Sequence, residues 1–170
     1  EYYATTIESA AARSAPTIAE SIVNDLHPAA VIDVGCGTGA LLEALRDRGC
    51  DVFGLENADA GLKYCRERQL NVEKFNIERS DLASTRTFDV AVSMEVAEHL
   101  PATVADRYVD LLTRLAPVVV FTAAQPGQGG EDHVNEQPAA YWIEKFEQRG
   151  FTHDEALSQR WRESWVSGGN

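Results

Sequence analysis

Four side chains of this sequence are candidates to hold a divalent metal ion or to accept a proton: Glu95, Glu98, His99 and His133. If residues 95–99 form a helical turn, spacings of three and four bring Glu95, Glu98 and His99 to one side of it. Carboxylates and imidazoles that converge in this way can bind a divalent cation. Alternatively, Glu95 or either histidine is a candidate general base for an acceptor proton. A histidine that ligates a metal is not free to act as the base, so the two roles compete.

A second constellation is the glycine turn, residues 35–39, in which Gly35, Gly37 and Gly39 follow a strand-like apolar run. Glycine permits positive φ and a close approach to a ligand, and the helix start that follows presents unpaired N–H groups to negative charge. A second strand-like run ends in Glu56, whose carboxylate suits both hydroxyls of a ribose. This order of elements predicts a nucleotide-type site. The G-x-G-x-G spacing differs from the G-x-G-x-x-G of nicotinamide-dependent oxidoreductases, which are the alternative for this site.

Residues 31–39 with Glu56 resemble the first two motifs of class I S-adenosylmethionine-dependent methyltransferases, and residues 88–101 resemble the motif at the fourth strand of that superfamily. The resemblance covers most of the chain and implies S-adenosyl-L-methionine as the cofactor. The cofactor-binding residues that it implies are Asp33, Gly35, Cys36, Gly37, Gly39, Glu56, Asn57, Asn76, Ile77, Met94, Tyr3 and Arg13.

The two ends of the implied cofactor site are less regular. Many members of the superfamily carry an aspartate where this chain has Asn76, which can hydrogen-bond a base edge but lacks the charge. Asp81, in the next loop, is the second candidate for the adenine contact. At the methionine end, related methyltransferases cover the cofactor with an N-terminal aromatic residue or arginine. Tyr3 and Arg13 are the candidates here, and simple packing or solvation of these residues is the alternative.

The Glu-x-x-Glu-His element of Glu95, Glu98 and His99 resembles that of two metal-dependent groups. One comprises the ubiquinone-pathway O-methyltransferases. The other comprises the small-RNA 3′-terminal 2′-O-methyltransferases, which add an Asp-His pair like Asp132-His133 after the fifth strand. The resemblance implies a Mg, Mn or Zn ion that is held by Glu95, Glu98, His99 and His133 and positions substrate hydroxyls. The same element also occurs in class I members that need no metal, where it caps the next helix or bonds locally.

Composition and charge restrict the acceptor and the location. The formal net charge of −12 and the lack of a basic cluster argue against RNA or DNA, whose binding draws on Lys and Arg. Three cysteines without metal spacing fit a reducing compartment, and no apolar run reaches the length of a membrane span. We therefore expect a cytoplasmic protein with a small-molecule acceptor and neither a nucleic-acid nor a membrane partner. The sequence does not determine the oligomeric state.

The elements that position these residues alternate between strands and helices. This alternation predicts an α/β fold with a doubly wound, mostly parallel, Rossmann-like sheet and helices on both faces. Ligands of such sheets bind outside the carboxyl ends of the strands, where the glycine turn and Glu95 both lie. Residues 151–157 are a candidate sixth strand, and we expect the final antiparallel strand of the superfamily to be missing.

We expect one domain over residues 1–170, with 1–28 as an N-terminal helical cover, 29–157 as the core and 158–170 as a C-terminal tail. The predicted function is S-adenosylmethionine-dependent methyl transfer to a small-molecule hydroxyl, with or without a metal. The preference for oxygen rests on the Glu-x-x-Glu-His element and on the absence of the Asn-Pro-Pro-Tyr type of motif found in many amino-group methylators. The alternatives are RNA ribose 2′-O-methylation and a non-catalytic cofactor-binding protein.

Overall fold

The computed structural model describes residues 8–82 and 86–168, which alternate between strands and helices. The strands are β1 Ala30–Val34, β2 Asp51–Glu56, β3 Val72–Lys74, β4 Val90–Met94 and β5 Val118–Thr122. The α-helices are α1 Glu8–Leu26, α2 Ala40–Arg46, α3 Asp59–Glu67, α4 Ala105–Leu115, α5 Ala139–Glu147 and α6 Glu155–Gly168. Two 3₁₀ turns, Ala97–His99 and Ala102–Val104, lie between β4 and α4.

The five strands form one sheet in the order β3-β2-β1-β4-β5, and every pair is parallel. β1 lies at the centre, where Asp33 pairs with Gly54 of β2 on one side and with Val92 of β4 on the other. The strand order reverses between β1 and β4, and ligands of doubly wound sheets bind beside such a switch point. The predicted parallel, doubly wound sheet is confirmed, and within the described residues it contains no antiparallel strand.

Helices cover both faces because successive residues of the inner strands are apolar and point to opposite sides. Ile32 and Ala91 belong to the core cluster that α4 and α5 cover. Val31 and Val90 belong to the cluster that α1, α2 and α6 cover. All four side chains are at most 1% exposed. Packing on both faces therefore fixes the strand ends, from which the loops of the site extend.

The C-terminal segment differs from the prediction. Residues 151–157 do not form a sixth strand: the first four are irregular and the last three begin α6. Asp154 Oδ1 accepts the Leu157 N–H at 2.9 Å, a contact typical of a helix start. The side chain of Asp154 thus provides a local alternative to strand pairing at the point where the sequence was expected to continue the sheet.

The predicted C-terminal tail is part of α6 as far as it is described. Leu157, Trp161 and Trp165 recur at intervals of four and pack against the cluster that contains α1. The indole N–H of Trp161 donates to Asp25 Oδ2 at 2.6 Å, and that of Trp165 donates to Ser21 Oγ at 3.0 Å. The helical period of these three apolar residues explains why this segment packs as a helix.

The N-terminal residues that are described form a helix, as expected for this part of the chain. α1 packs against α2 and α6 on one face of the sheet. Its 19 residues bury Ile18, Ala19 and Ile22 and leave polar residues on the opposite side. In the described part of the chain, no helix combines the length and the hydropathy that crossing a membrane requires.

Candidate active site

The glycine turn wraps the carboxyl end of β1 and leads into α2. Gly35, Gly37 and Gly39 have φ angles of 80°, 55° and 78°, a region that residues with a Cβ rarely adopt. The N–H groups of Gly35 and Cys36 both donate to the Leu55 carbonyl, at 2.8 and 3.1 Å. These bonds tie the turn to β2, so its shape is set by the protein itself.

Glu56 ends β2 and supports the glycine turn from the other side. Its Oε2 accepts the Gly37 N–H at 2.7 Å, and its Oε1 accepts the Ala58 N–H at 2.6 Å. Burial raises the pKa of Glu56, and these N–H groups oppose that shift by stabilising the carboxylate. Each oxygen still has a lone pair for a further donor. Glu56 is therefore an oriented acceptor for ligand hydroxyls.

Asp33 and Cys36 lie beneath the glycine turn. Asp33 is 5% exposed, and its pKa is raised to about 7 by burial and by the negative charge of Glu56. Cys36 is 9% exposed, and its Sγ lies 4.0 Å from the Sγ of Cys65 on α3. These positions favour support of the turn from below as the contribution of both side chains to cofactor binding.

A cavity of about 130 Å³, here called the cofactor cavity, opens between the glycine turn, the end of β2 and the Ala97–His99 turn. Its lining combines two carboxylates, two side-chain amides, apolar surface and one imidazole. Six of the lining residues belong to the predicted site: Gly35, Glu56, Asn57, Asn76, Ile77 and His99. The structure thus brings the predicted ribose and adenine contacts together with a predicted catalytic histidine.

Asn76 and Asp81, the two candidates for the adenine contact, lie in different places. Asn76 lines the cofactor cavity, and its Oδ1 accepts the Glu78 N–H at 2.9 Å, which leaves the NH₂ group to donate to a base edge. Asp81 lies outside the lining of that cavity, and its carboxylate pairs with Arg107 Nη2 at 2.8 Å. The structure therefore favours Asn76 over Asp81.

At the methionine end, fewer of the predicted residues can be placed beside the cavity. Met94 is half-buried at the end of β4. Arg13 is exposed on α1 and is not part of the cavity lining. Tyr3 lies outside the described residues. Their contacts to the cofactor stay predictions.

Glu98 lies in the Ala97–His99 turn and is fully buried, with 0% of its surface exposed. By distance and angle neither of its carboxylate oxygens makes a hydrogen bond among the described residues, although the Glu95 side chain and the Ala124 backbone lie close enough to affect its pKa. Burial, together with the negative charge of Glu95, raises the pKa of Glu98 to about 7. One of these oxygens and one ring nitrogen each of His99 and His133 lie within 4.8 Å of one another. We call Glu98, His99 and His133 the acid–histidine group. A buried carboxylate without a partner is costly unless a proton or a cation neutralises it.

Hydrogen bonds orient the two imidazoles. His99 Nδ1 lies 3.3 Å from the Asp132 carbonyl oxygen, which can only accept, so this nitrogen carries the proton. His133 Nδ1 lies 2.8 Å from Glu136 Oε1. The two rings meet edge to face, with centroids 4.9 Å apart. For His99 this tautomer leaves the lone pair on Nε2 for a cation or a proton.

Glu95 does not join this group. Its φ is 54°, and Thr122 Oγ1 donates to its Oε1 at 2.8 Å. The 3₁₀ turn begins only at Ala97, so the predicted helical turn over residues 95–99 is wrong. The pairing of β4 with β5 extends to the partners Met94 and Thr122, and this pairing holds Glu95 beside Thr122. Glu95 still lies close enough to Glu98 that its charge and its side chain both raise the pKa of Glu98.

A family profile described as a methyltransferase domain matches residues 32–117, half of the chain. The chain belongs to the methyltransferase domain family. The matched stretch begins within β1 and ends at the residue before β5. It includes the glycine turn, Glu56, Glu98 and His99. His133 lies beyond it, so the methyltransferase profile covers the cofactor cavity but only part of the acid–histidine group.

Individual relatives agree with this assignment. The ubiquinone biosynthesis O-methyltransferase of Nitrosomonas europaea is 34% identical over 88 residues, which are 48% of this chain and 37% of that protein. The match thus spans little more than a third of the curated relative. The structure of DesVI from Streptomyces venezuelae is 25% identical, with a TM-score of 0.58, over 71% of this chain and 54% of that one. An S-adenosylmethionine-dependent methyltransferase from Archaeoglobus fulgidus shares the fold at 17% identity, with a TM-score of 0.65 over 82% and 70% of the two chains. The predicted resemblance to class I methyltransferases is confirmed.

Sequence reasoning missed two residues of this methyltransferase site, Asn135 and Glu136. The N–H groups of Val134 and Asn135 donate to the Glu98 carbonyl at 2.8 and 3.0 Å, which fixes the adjacent His133 beside His99. Asn135 is 4% exposed. The only sequence signal for these contacts is a polar run that follows His133, and such a run is equally common in surface loops.

Proposed function

We propose that this methyltransferase domain transfers a methyl group from S-adenosyl-L-methionine to a hydroxyl of a small molecule, with a divalent cation held by Glu98, His99 and His133. One observation carries the proposal: His99 lines the cofactor cavity and also belongs to the acid–histidine group. Groups able to bind an acceptor hydroxyl therefore adjoin the cavity for the cofactor. The O-methyltransferase name of the Nitrosomonas europaea relative supports oxygen as the acceptor atom.

The residues of the acid–histidine group fit a cation. The supporting observation is the fully buried Glu98 carboxylate, whose two oxygens lack partners among the described residues. Two imidazole nitrogens and one carboxylate oxygen suit Zn²⁺ or Mn²⁺, and Mg²⁺ if waters complete its coordination. When bound, such a cation would lower the pKa of an acceptor hydroxyl and fix its position.

The chain's own residues chiefly bind the cofactor and orient the acceptor. The sulfonium makes the methyl group electrophilic and transfer is an in-line displacement, so orientation of the acceptor can supply ~7–11 kcal/mol of the barrier. Glu56 would accept from the ribose hydroxyls and Asn76 would contact the adenine edge. The glycine turn would bring backbone close to the cofactor.

The acceptor proton needs a base, and the acid–histidine group offers one. Without a cation, His99 or His133 would take the proton, a contribution of typically ~10²–10⁴-fold. A histidine that ligates a cation has no lone pair left for this step. The cation and the histidine base are therefore two distinct forms of the proposal, and Glu95 affects both through its interaction with the Glu98 carboxylate.

Ribose 2′-O-methylation of RNA is the second candidate function, because Glu98, His99 and His133 also match the donors implied for that class. The net charge of −12 disfavours it, since phosphate binding draws on Lys and Arg. We also propose a cytoplasmic location. The three buried, free thiols of Cys36, Cys50 and Cys65 support it, because such thiols persist in a reducing compartment.

The test is a calorimetric titration of chelator-treated protein with S-adenosylhomocysteine, followed by Mg²⁺, Mn²⁺ or Zn²⁺. We expect cofactor-product binding and one stoichiometric cation event that is lost in Glu98→Gln and His99→Ala variants. Cofactor-product binding without a cation event would leave the histidine-base form. A folded protein that does not bind S-adenosylhomocysteine would overturn the proposal, and binding of both ligands without turnover on any hydroxyl acceptor would favour a non-catalytic binding protein.

A further inference from the structure

The carboxylate of Glu136 accepts three hydrogen bonds in the loop that carries His133. Its Oε1 lies 2.8 Å from His133 Nδ1 and accepts the Gly129 N–H at 2.7 Å. Its Oε2 accepts the Gly127 N–H at 2.8 Å. The side chains of His133 and Glu136 are only 13% and 18% exposed. One carboxylate therefore holds both the imidazole and the preceding glycine loop.

These contacts determine where the proton of a neutral His133 lies. A carboxylate that accepts two backbone N–H groups presents acceptor oxygens to its third partner, so the imidazole must donate from Nδ1. A proton on Nδ1 leaves the lone pair of the ring on Nε2. Partners of this kind fix the tautomer and the ring orientation of histidines that bind metals.

Gly130 packs against the imidazole of His133 near its Nε2 atom. A Cβ at this position would overlap with the Nε2, Cε1 and Cδ2 atoms of His133. Gly130 is not among the residues of this chain with positive φ, so steric room and not backbone conformation requires a glycine here. The loop thus combines an acceptor on one ring nitrogen with a close approach of the Gly130 backbone to the ring near the other nitrogen.

We propose that Glu136 is a positioning residue that holds His133 as the Nδ1–H tautomer, so that Nε2 is the nitrogen that binds the cation or takes the acceptor proton. The inference deepens the proposed function and rests on it for the role of Nε2. The tautomer itself can be measured without cofactor, cation or acceptor, so the two can fail separately.

The experiment is long-range ¹H–¹⁵N correlation of the histidine side chains in metal-free protein, recorded at rising pH until the His133 signals no longer change. The chain has four histidines, so single substitutions assign every signal. We expect His133 to show a protonated Nδ1 and a bare Nε2, and Glu136→Ala to convert it into a mixture of tautomers. Glu136→Gln should preserve the wild-type signal, because its amide oxygen can still accept from Nδ1. Glu131→Ala, an exposed acid of the same loop, is the matched control and should change nothing.

A wild-type His133 with the proton on Nε2, or a tautomer ratio that Glu136→Ala leaves unchanged, would overturn the inference. The second readout is Zn²⁺ affinity, which Glu136→Ala should reduce by about 10–100-fold, the usual cost of losing a partner behind a metal ligand. In Gly130→Ala the new Cβ would overlap with Nε2, so the imidazole must shift and Zn²⁺ binding should weaken. Full Zn²⁺ affinity in Gly130→Ala would contradict the assignment of Nε2. If the wild type binds no cation, the metal form of the proposed function fails and the tautomer measurement still decides the role of Glu136.

Discussion

The glycine turn and the acid–histidine group lie at the carboxyl ends of neighbouring strands, but their polar atoms are satisfied in opposite ways. In the glycine turn, Glu56 already accepts two backbone N–H groups, and Gly35 and Cys36 donate to the Leu55 carbonyl. In the acid–histidine group, the Glu98 carboxylate is fully buried and has no partner among the described residues. The first region is a preformed cradle, whereas the second is complete only when a proton or a cation neutralises its acid.

This difference means that the two regions should respond to different substitutions. Changes at Glu56 should act on the cofactor, and changes at Glu98 should act on the cation. Gly35 is the exception, because a Cβ there would lie 2.5 Å from Val96 Cγ2, next to the turn that carries Glu98. Four substitutions test how far the two regions are independent.

The largest expected effect is that of Glu98→Gln. An amide has no charge to offer a cation, so we expect divalent-cation affinity to fall by more than the ~100-fold that a lost outer partner can cost. S-adenosylhomocysteine affinity should stay within about threefold of wild type, as expected for a site with separate hydrogen bonds. Calorimetry measures both constants, with the exposed Glu131→Gln as the control. A variant that retains wild-type cation affinity would remove Glu98 from the cation site.

Glu56→Ala should produce the opposite pattern. The variant removes the charged acceptor of the ribose hydroxyls, and losing one hydrogen bond to a charged group costs ~1.5–3 kcal/mol, so S-adenosylhomocysteine affinity should fall by about 10–100-fold. Cation affinity should be unchanged. Glu73→Ala, an exposed acid on the neighbouring β3, is the control for charge alone. Equal affinities in the Glu56 and Glu73 variants would show that Glu56 does not bind the ribose.

Asp33→Asn tests the buried acid beneath the glycine turn. Because the pKa of Asp33 is raised to about 7 in the folded protein, the folded state binds more protons than the unfolded chain between pH 4 and 7. The stability of the wild type should therefore decrease as pH rises through this window, by about 2 kcal/mol from pH 5 to pH 8. The asparagine variant should lose the part of this decrease that Asp33 contributes and keep the part from Glu98, whose pKa is also raised to about 7. Urea unfolding at both pH values, without cofactor, measures it; parallel pH profiles for the two proteins would contradict the assignment.

Gly35→Ala should produce the smallest effect and the one that both regions share. The new Cβ meets Val96 and forces an alanine to a φ of 80°, a cost of ~1–2 kcal/mol that the protein can partly relax. We expect both S-adenosylhomocysteine and cation affinity to drop by about fivefold. Gly49→Ala is the control, since it has a φ of 93° and nothing within 4 Å of its Cβ. If only the cofactor affinity falls, the two regions are not coupled through Val96.

The sequence predicted the fold and the cofactor half of the site better than the acid–histidine half, for physical reasons. The glycine turn is a local motif, in which strand, positive-φ residues and helix follow one another. The helical turn assumed for residues 95–99 does not include Glu95, because pairing with Thr122 decides the conformation of Glu95. Glu136 contacts His133 only because the loop folds back on itself, and no periodic pattern in the sequence indicates this conformation. Residues 158–170 were expected to form a tail, although Leu157, Trp161 and Trp165 recur at a helical period.

Glu98 contributes to the site through two chemically separate parts. Its carbonyl accepts the N–H groups of Val134 and Asn135 and so joins the loop after β5 to the turn after β4. Its carboxylate belongs to the acid–histidine group. Any residue supplies the carbonyl, but only an acid supplies the charge. Under the proposed function, a single codon change at Glu98 would remove or restore dependence on a cation while the surrounding architecture stays intact, a short evolutionary path between metal-assisted and metal-free chemistry.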